Sequence, residues 1–366
     1  MANGVLAVGA FQDGGIVNVF EMTHDARPPM SRSRLLASLP PKAPEALPSW
    51  RLATTLLPDG DARDFGRTLA IGPLGDRIVV GAPGNSRGTR SSVFVFERCR
   101  SESNSTWELA WTLAPADPST DSFFGSSLSL GTNVLAVASV RDDDLIVYMY
   151  EFAKGNLIQL GELKPTQPVL HSDQDVVVAR DDEMVLVGAP ARQPGDGAVL
   201  IFARQHGAAH FTEHAVLENP KPSELRFGAT LDIGPQLIAA SAVDFDVWRK
   251  DQGAVIVFGR DDLAVRSTPR IPQAPQDKFG FKPLLLSTPG QGGEKNDTLV
   301  VSAPVGTNHS DSVLFYGAND GTLRGLIPLG SDVWAGPVVT GSGDLVVVGS
   351  PFDGLNWTGA VFTTNI

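Results

Sequence analysis

Residues 65–96 read FGRTLAIGPLGDRIVVGAPGNSRGTRSSVFVF, and this stretch decides the fold. Phe65-Gly66 opens it. Ile78-Val79-Val80-Gly81-Ala82-Pro83 follows, a continuous apolar run of the kind a strand buried on both faces requires. Gly81 and Ala82 are small enough for a neighbouring layer to approach closely, and Pro83, with no N–H to donate, stops the ladder. Val93-Phe94-Val95-Phe96 alternates, as a strand further from the centre does. Phe65 is expected to wedge between adjacent units, with Gly66 permitting the tight turn beside it.

Working outward, the same order of segments returns along the chain. Trp107 precedes Phe124-Gly125, followed by apolar runs at 134–139 and 145–150. A fourth unit is degenerate at the Phe-Gly position (Asp175-Val176-Val177) but keeps Val187-Gly188-Ala189-Pro190 and a run at 197–202. The fifth holds Phe227-Gly228 and Ala239-Ala240-Ser241-Ala242, and the sixth Phe279-Gly280 and Val301-Ser302-Ala303-Pro304. The last has Trp334-Ala335-Gly336, Val348-Gly349-Ser350-Pro351 and a run at 359–362. A period of about 50–60 residues carrying four strand-length segments is the signature of a blade-built fold. With 38 Gly and 27 Pro, both of which break helices, a chain of many short strands is expected rather than a helical solenoid.

These Phe-Gly and Gly-Ala-Pro strands resemble FG-GAP repeats, the units of integrin α-chain heads and of many extracellular and bacterial surface proteins. The resemblance covers nearly the whole chain. It implies an all-β, seven-bladed β-propeller with four strands per blade, occupying 1–366 as a single domain. It also implies an integrin-α-like recognition or cell-adhesion module at the cell surface, a glycoprotein without catalytic chemistry.

The strand count is informative. The first unit begins at its second strand, residues 5–10, and the chain ends at Ile366 just after the third strand of the seventh unit. The first and last blades are therefore expected to be incomplete. The expectation is that the natural chain starts upstream of Met1, where the closing strands and a signal peptide would lie. Alternatives are an open ring, or closure by residues 22–49. That stretch holds Pro28, Pro29, Pro40, Pro41, Pro44 and Pro48, and reads as a loop inserted into the domain.

The net charge of −12 repels phosphate backbones, so nucleic acid is not an expected partner. Cys99 is the only cysteine, which rules out an intrachain disulfide. No run reaches the roughly 18 apolar residues of a membrane helix. The chain is expected to be a monomer or part of a larger surface protein, with a protein or carbohydrate ligand.

Integrin-type repeats often hold calcium in a carboxylate-rich loop, yet the corresponding loops here, such as 71–76 and 233–236, supply no more than one carboxylate each. No metal and no cofactor are therefore expected. Asp59, Asp61 and Asp64 lie in a different loop, before Phe65, and read as turn-capping, solvated side chains. His206, His210 and His214 share a helical spacing, but the register places them in a hairpin, with Phe211 at the position of Trp107. No Gly-x-Ser-x-Gly elbow or phosphate-cradling loop is present.

Loops between second and third strands should share one rim with the loops before Phe-Gly. Candidate ligand-binding residues on it are Arg141, Asp142, Asp144, Asp244, Asp246, Trp248, Arg249 and Trp357, with Trp248 either an anchor or a packed cover. Asp143 belongs to the same acidic turn. Asn104, Asn296, Asn308 and Asn356 stand in Asn-x-Ser/Thr sequons, all in expected loops. Two other functions remain open: a propeller lyase or hydrolase acting on polysaccharide, and a structural spacer.

Overall fold

The computed structural model describes residues 1–11, 15–23, 49–60, 62–84, 90–100, 105–115, 117, 121–142, 144–166, 176–178, 181–190, 197–204, 208, 210–220, 226–243, 253–269, 279–289, 295–303, 311–330, 338–343, 345–350 and 360–365. Among them the chain is all β and forms a seven-bladed β-propeller of small antiparallel sheets. The first blade is β1 (Val5–Ala10), β2 (Ile16–Thr23) and β3 (Ser49–Leu56). The second is β4 (Thr68–Ile71), β5 (Arg77–Ala82), β6 (Ser92–Arg100) and β7 (Ser105–Leu113). The third holds β8 (Asp121–Ser122), β9 (Leu128–Leu130), β10 (Val134–Arg141), β11 (Asp144–Ala153) and β12 (Asn156–Leu163), with β8 and β9 both pairing β10. The fourth is β13 (Val176–Val178), β14 (Met184–Ala189), β15 (Ala198–Ala203) and β16 (Thr212–Glu218).

Next come β17 (Phe227–Ile233), β18 (Leu237–Ala242), β19 (Ala254–Gly259) and β20 (Val265–Ser267), then β21 (Lys282–Pro289), β22 (Lys295–Ala303), β23 (Asp311–Gly317) and β24 (Leu323–Gly330). The last blade is β25 (Val338–Ser342), β26 (Leu345–Ser350) and β27 (Ala360–Asn365). Among the described residues the first and seventh sheets thus have three strands, as the sequence implied. Residues 24–48 of the Pro-rich insertion lie outside the described residues; Met22 and Thr23 end β2, and Ser49 opens β3. The chain divides into two compact units, one of 1–23, 50–192 and 200–216, the other of 24–49, 193–199 and 217–366.

One backbone bond repeats in six blades among the described residues. A residue at or just past the end of β2, β6, β11, β15, β19 or β23 donates its N–H to a carbonyl at the start of the strand paired before it: Met22 to Gly4, Arg98 to Asp76, Phe152 to Asn133, Arg204 to Glu183, Arg260 to Gln236 and Ala318 to Asp297, at 2.8–3.0 Å. The strands β5, β10 and β18 are buried almost along their length, as their unbroken apolar runs demand, whereas β1 is buried only at Val5 and Leu6.

Within the first unit, Phe65 packs among Val5, Val17 and Val19 of the first blade and Phe94 of its own. Phe124 does the same between Val79, Val93 and Val95 of the second blade and Tyr148 of the third. In the second unit Phe279 lies among Val255, Val257 and Tyr316. The phenylalanines therefore wedge between blades, and the glycines beside them, Gly66, Gly125, Gly228 and Gly280, all take φ near +90°, which a side chain would strain. A β-carbon on Gly81 would stand 2.6 Å from the Gly125 carbonyl oxygen, so the glycine of one blade meets the Phe-Gly glycine of the next. Where serine occupies the second strand instead (Ser139, Ser241, Ser302), its hydroxyl is fully buried and hydrogen-bonded within its blade's sheet, to Ser122, Thr230 and Lys282.

Candidate functional site

The turn before each Phe-Gly pair and the hairpin between second and third strands do share a rim in the third blade, because Arg141, the last residue of β10, pairs with Asp121 of β8. The residue preceding Phe-Gly is left-handed in three blades: Asp64 (φ 62°), Phe123 (φ 55°) and Arg226 (φ 64°). Each closes a turn by accepting the N–H three residues on, from Arg67, Ser126 and Ala229. Left-handed backbone costs an L-residue about 1–2 kcal/mol, least for Asp or Asn.

Arg141, expected as a ligand contact, is engaged within its own blade. Its Nε and Nη2 donate to the two carboxylate oxygens of Asp121 at 2.5 and 2.9 Å, and Nη1 and Nη2 donate to Glu162 at the end of β12 at 3.1 and 3.0 Å. Nη2 also reaches the Tyr148 hydroxyl at 2.6 Å, and that hydroxyl in turn donates to Asp121. The Asp121 side chain is 0% exposed, while Arg141 and Glu162 retain 22% each. Its hydrogen bonds to Asp121 first and to Glu162 second push the guanidinium further above its ordinary value. Glu162 is held below the usual carboxylate range, chiefly by Arg141 and then by Lys164, against the opposing pull of burial. Two carboxylates saturate one guanidinium here, tying β8, β10, β11 and β12 together at the rim. The cluster can hold geometry, but its committed groups are poorly placed to turn over a substrate.

Asp142 sits at the turn with φ 52°, and Asp144 opens β11; both are exposed and do not join the cluster. Asp143, Asp244, Asp246, Trp248, Arg249 and Trp357 lie outside the described residues, as do Asn104, Asn308, Asn356 and His206. Asn296 is in strand β22, paired with Thr288, rather than in the expected loop. His214 belongs to β16, and Phe211 beside it carries Arg204 over its ring at 4.9 Å, as Trp107 carries Arg98. Among the described residues, no three His, Cys, Asp or Glu side chains are gathered as for a metal ion, and no helix is long and apolar enough to cross a membrane.

Asp64 departs from the sequence reading. Its side chain is only 18% exposed, and Oδ2 is buried without a hydrogen bond, facing Arg67 Nη1 at 3.6 Å. Arg67 is 51% exposed, and its guanidinium lies 5.9 Å from the ring centre of Phe11, itself 44% exposed. Phe11 belongs to the first blade, whose Gly15 is pressed against the Phe65 carbonyl. The signal missed was the position of Asp64: it stands directly before a wedge phenylalanine, where the backbone turns the chain back into the protein.

No protein-family model matches the chain, and no curated protein does. Solved structures do. A candidate 6-phosphogluconolactonase from Bacteroides uniformis is 14% identical, with a TM-score of 0.58, over 99% of this chain and 96% of that one. A counterpart from Bacteroides fragilis has the same identity and TM-score over 99% and 94%. A prolyl endopeptidase structure is 13% identical, with a TM-score of 0.51, over 99% of this chain but 47% of that one. At such identities the likeness establishes the propeller fold. It also corrects the family reading: the neighbours are lactonase-like propellers, not integrin heads, and no family model supports FG-GAP repeats. The adhesion-module function is overturned with it, as is the integrin-like attribute, and these neighbours lend no support to an extracellular one. Phe-Gly wedges and paired glycines are what close blade packing asks for, so they mark the packing rather than the lineage.

Proposed function

We propose that this propeller is a hydrolase that opens the lactone ring of a sugar-derived substrate. The supporting observation is the extent of likeness: it spans 96% of a candidate 6-phosphogluconolactonase, so the activity that protein is named for has to reside on the propeller itself. The endopeptidase likeness leaves more than half of that chain unaccounted for and gives no such argument. Lactone hydrolysis adds water to the ring carbonyl, passes through an oxyanion, and breaks the ring C–O bond as the ring oxygen takes up a proton. It calls for a cationic or N–H donor at the carbonyl and a group that moves the proton. A panel of D-glucono-1,5-lactone, its 6-phosphate, p-nitrophenyl acetate and a proline-containing peptide tests the class. Turnover confined to the lactones is expected; turnover of the ester or peptide alone, or of none of the four, overturns the proposal.

A further inference from the structure

We infer that Phe11, Arg67 and Asp64 form a subsite for a polyhydroxylated ring, the ring face lying on Phe11 and its carbonyl side on Arg67, with the buried Asp64 carboxylate holding Arg67 in place as its ion-pair partner. The inference rests on the lactone-hydrolase reading and names where that substrate would sit. Three observations carry it.

The first is the orphaned oxygen. A buried carboxylate oxygen with no donor is costly, of order 1–3 kcal/mol or more, and asks for an explanation. Asp64 and Arg67 stand 3.6 Å apart, too far for a hydrogen bond, although they are three residues apart in one turn. The contrast with Arg141, which is held by four hydrogen bonds to two carboxylates, is sharp. Arg67, held by Asp64 only at ion-pair distance and half-exposed, keeps its fork of donors free of such bonds.

The second is strain. Asp64 holds its left-handed conformation beside Phe65, the buried wedge between the first two blades. Strained backbone held by rigid packing is a recurrent feature of ligand sites, and here it fixes the carboxylate relative to the rim.

The third is the platform. Phe11 is a half-exposed aromatic ring on a neighbouring blade, within cation–π range of the Arg67 guanidinium. An aromatic face beside a planar donor fork and a carboxylate suits a ring with apolar C–H faces and polar edges. It suits a peptide chain or an acyl chain less well, because neither offers both in one rigid unit.

The experiment uses D-glucono-1,5-lactam, a neutral mimic that resists hydrolysis, titrated calorimetrically into the full chain and into Phe11→Ala, Arg67→Gln and Asp64→Asn. Asn tolerates the left-handed turn as Asp does, so the last variant keeps the backbone. Thermal melts confirm that each variant is folded. Lactam binding weakened about tenfold or more in Phe11→Ala and Arg67→Gln, with a smaller loss in Asp64→Asn, is the expected result. Wild-type lactam affinity in all three folded variants overturns the subsite even if the protein hydrolyses lactones. Lactam binding at this corner without any lactone turnover would instead sink the hydrolase reading and leave the subsite standing.

Discussion

Replacing Gly9 with Ala should loosen the joint between the first two blades, and the size of the effect follows from the geometry. Gly9 has ordinary backbone angles, so the added methyl brings no conformational strain of its own. It would overlap the Gly66 carbonyl oxygen outright and lie 3.0 Å from its carbon and 3.3 Å from its Cα. Carbon atoms in van der Waals contact settle near 3.5–4 Å, so the backbone of Gly66 has to retreat by roughly an ångström. It has little room to do so, since Gly66 N–H bonds to Gly81 and its own Cβ position is bounded by Val17. Relief requires moving Phe65 out of its pocket. Overpacking costs about 1–3 kcal/mol, and with backbone on both sides of the clash the upper end applies. At about 2.1 cal/mol/K of unfolding entropy per residue, ~3 kcal/mol lowers the melting midpoint of a chain this long by about 4 °C. Gly349 supplies the control: it holds the same motif position in the last blade, yet among the described residues a β-carbon there meets nothing nearer than Val338 O at 3.8 Å. Gly349→Ala should stay within about 0.5 kcal/mol of wild type. Melting curves of the two variants decide. Equal losses, or no loss in Gly9→Ala, would refute the claim that paired glycines set the blade spacing.

Arg141→Met should cost about 3–5 kcal/mol by urea titration, because it takes the cation away from the fully buried Asp121 carboxylate. Glu162 titrates below its ordinary value in the folded state, so its stabilisation is present above the unfolded pKa, about 4.3, and fades as pH falls through the folded one; Arg141→Met should flatten that acid limb. Burial first, and the Glu162 charge second, push Tyr150 up to about 12, so unfolded tyrosine ionises before folded and stability should fall as pH rises past about 10. Tyr150→Phe should blunt that alkaline loss, read by absorbance at 295 nm alongside unfolding. Arg204→Lys keeps the charge but loses the fork that serves Asp182 O, Glu151 and Ala208 O, and should cost about 1.5–3 kcal/mol in the urea midpoint.

The fold was legible because its determinants are local and repeated. Ile78-Val79-Val80-Gly81-Ala82 states burial on both faces and close approach in five residues, and Phe65-Gly66 states a wedge and a turn in two. The match of Phe211 to Trp107 came from register alone, and the two rings receive their arginines alike. Lineage was not legible, since those residues answer to packing that propellers of different descent can share. The bonding of Arg141 was not legible because its partners come from strands 20 and 21 residues away, Asp121 and Glu162, which no periodicity ties to it. Asp64 was misjudged because acidic loop residues look alike in sequence; only its left-handed turn separates it from Asp59, which the structure leaves in solvent.

The most direct measurement of the account is the initial rate of acid release from D-glucono-1,5-lactone at neutral pH, followed in a pH-stat with and without the protein. Catalysis by the wild type well above the spontaneous rate, reduced at least about tenfold in a folded Arg67→Gln variant, is what the account predicts. A rate equal to the spontaneous one for the wild type would contradict it.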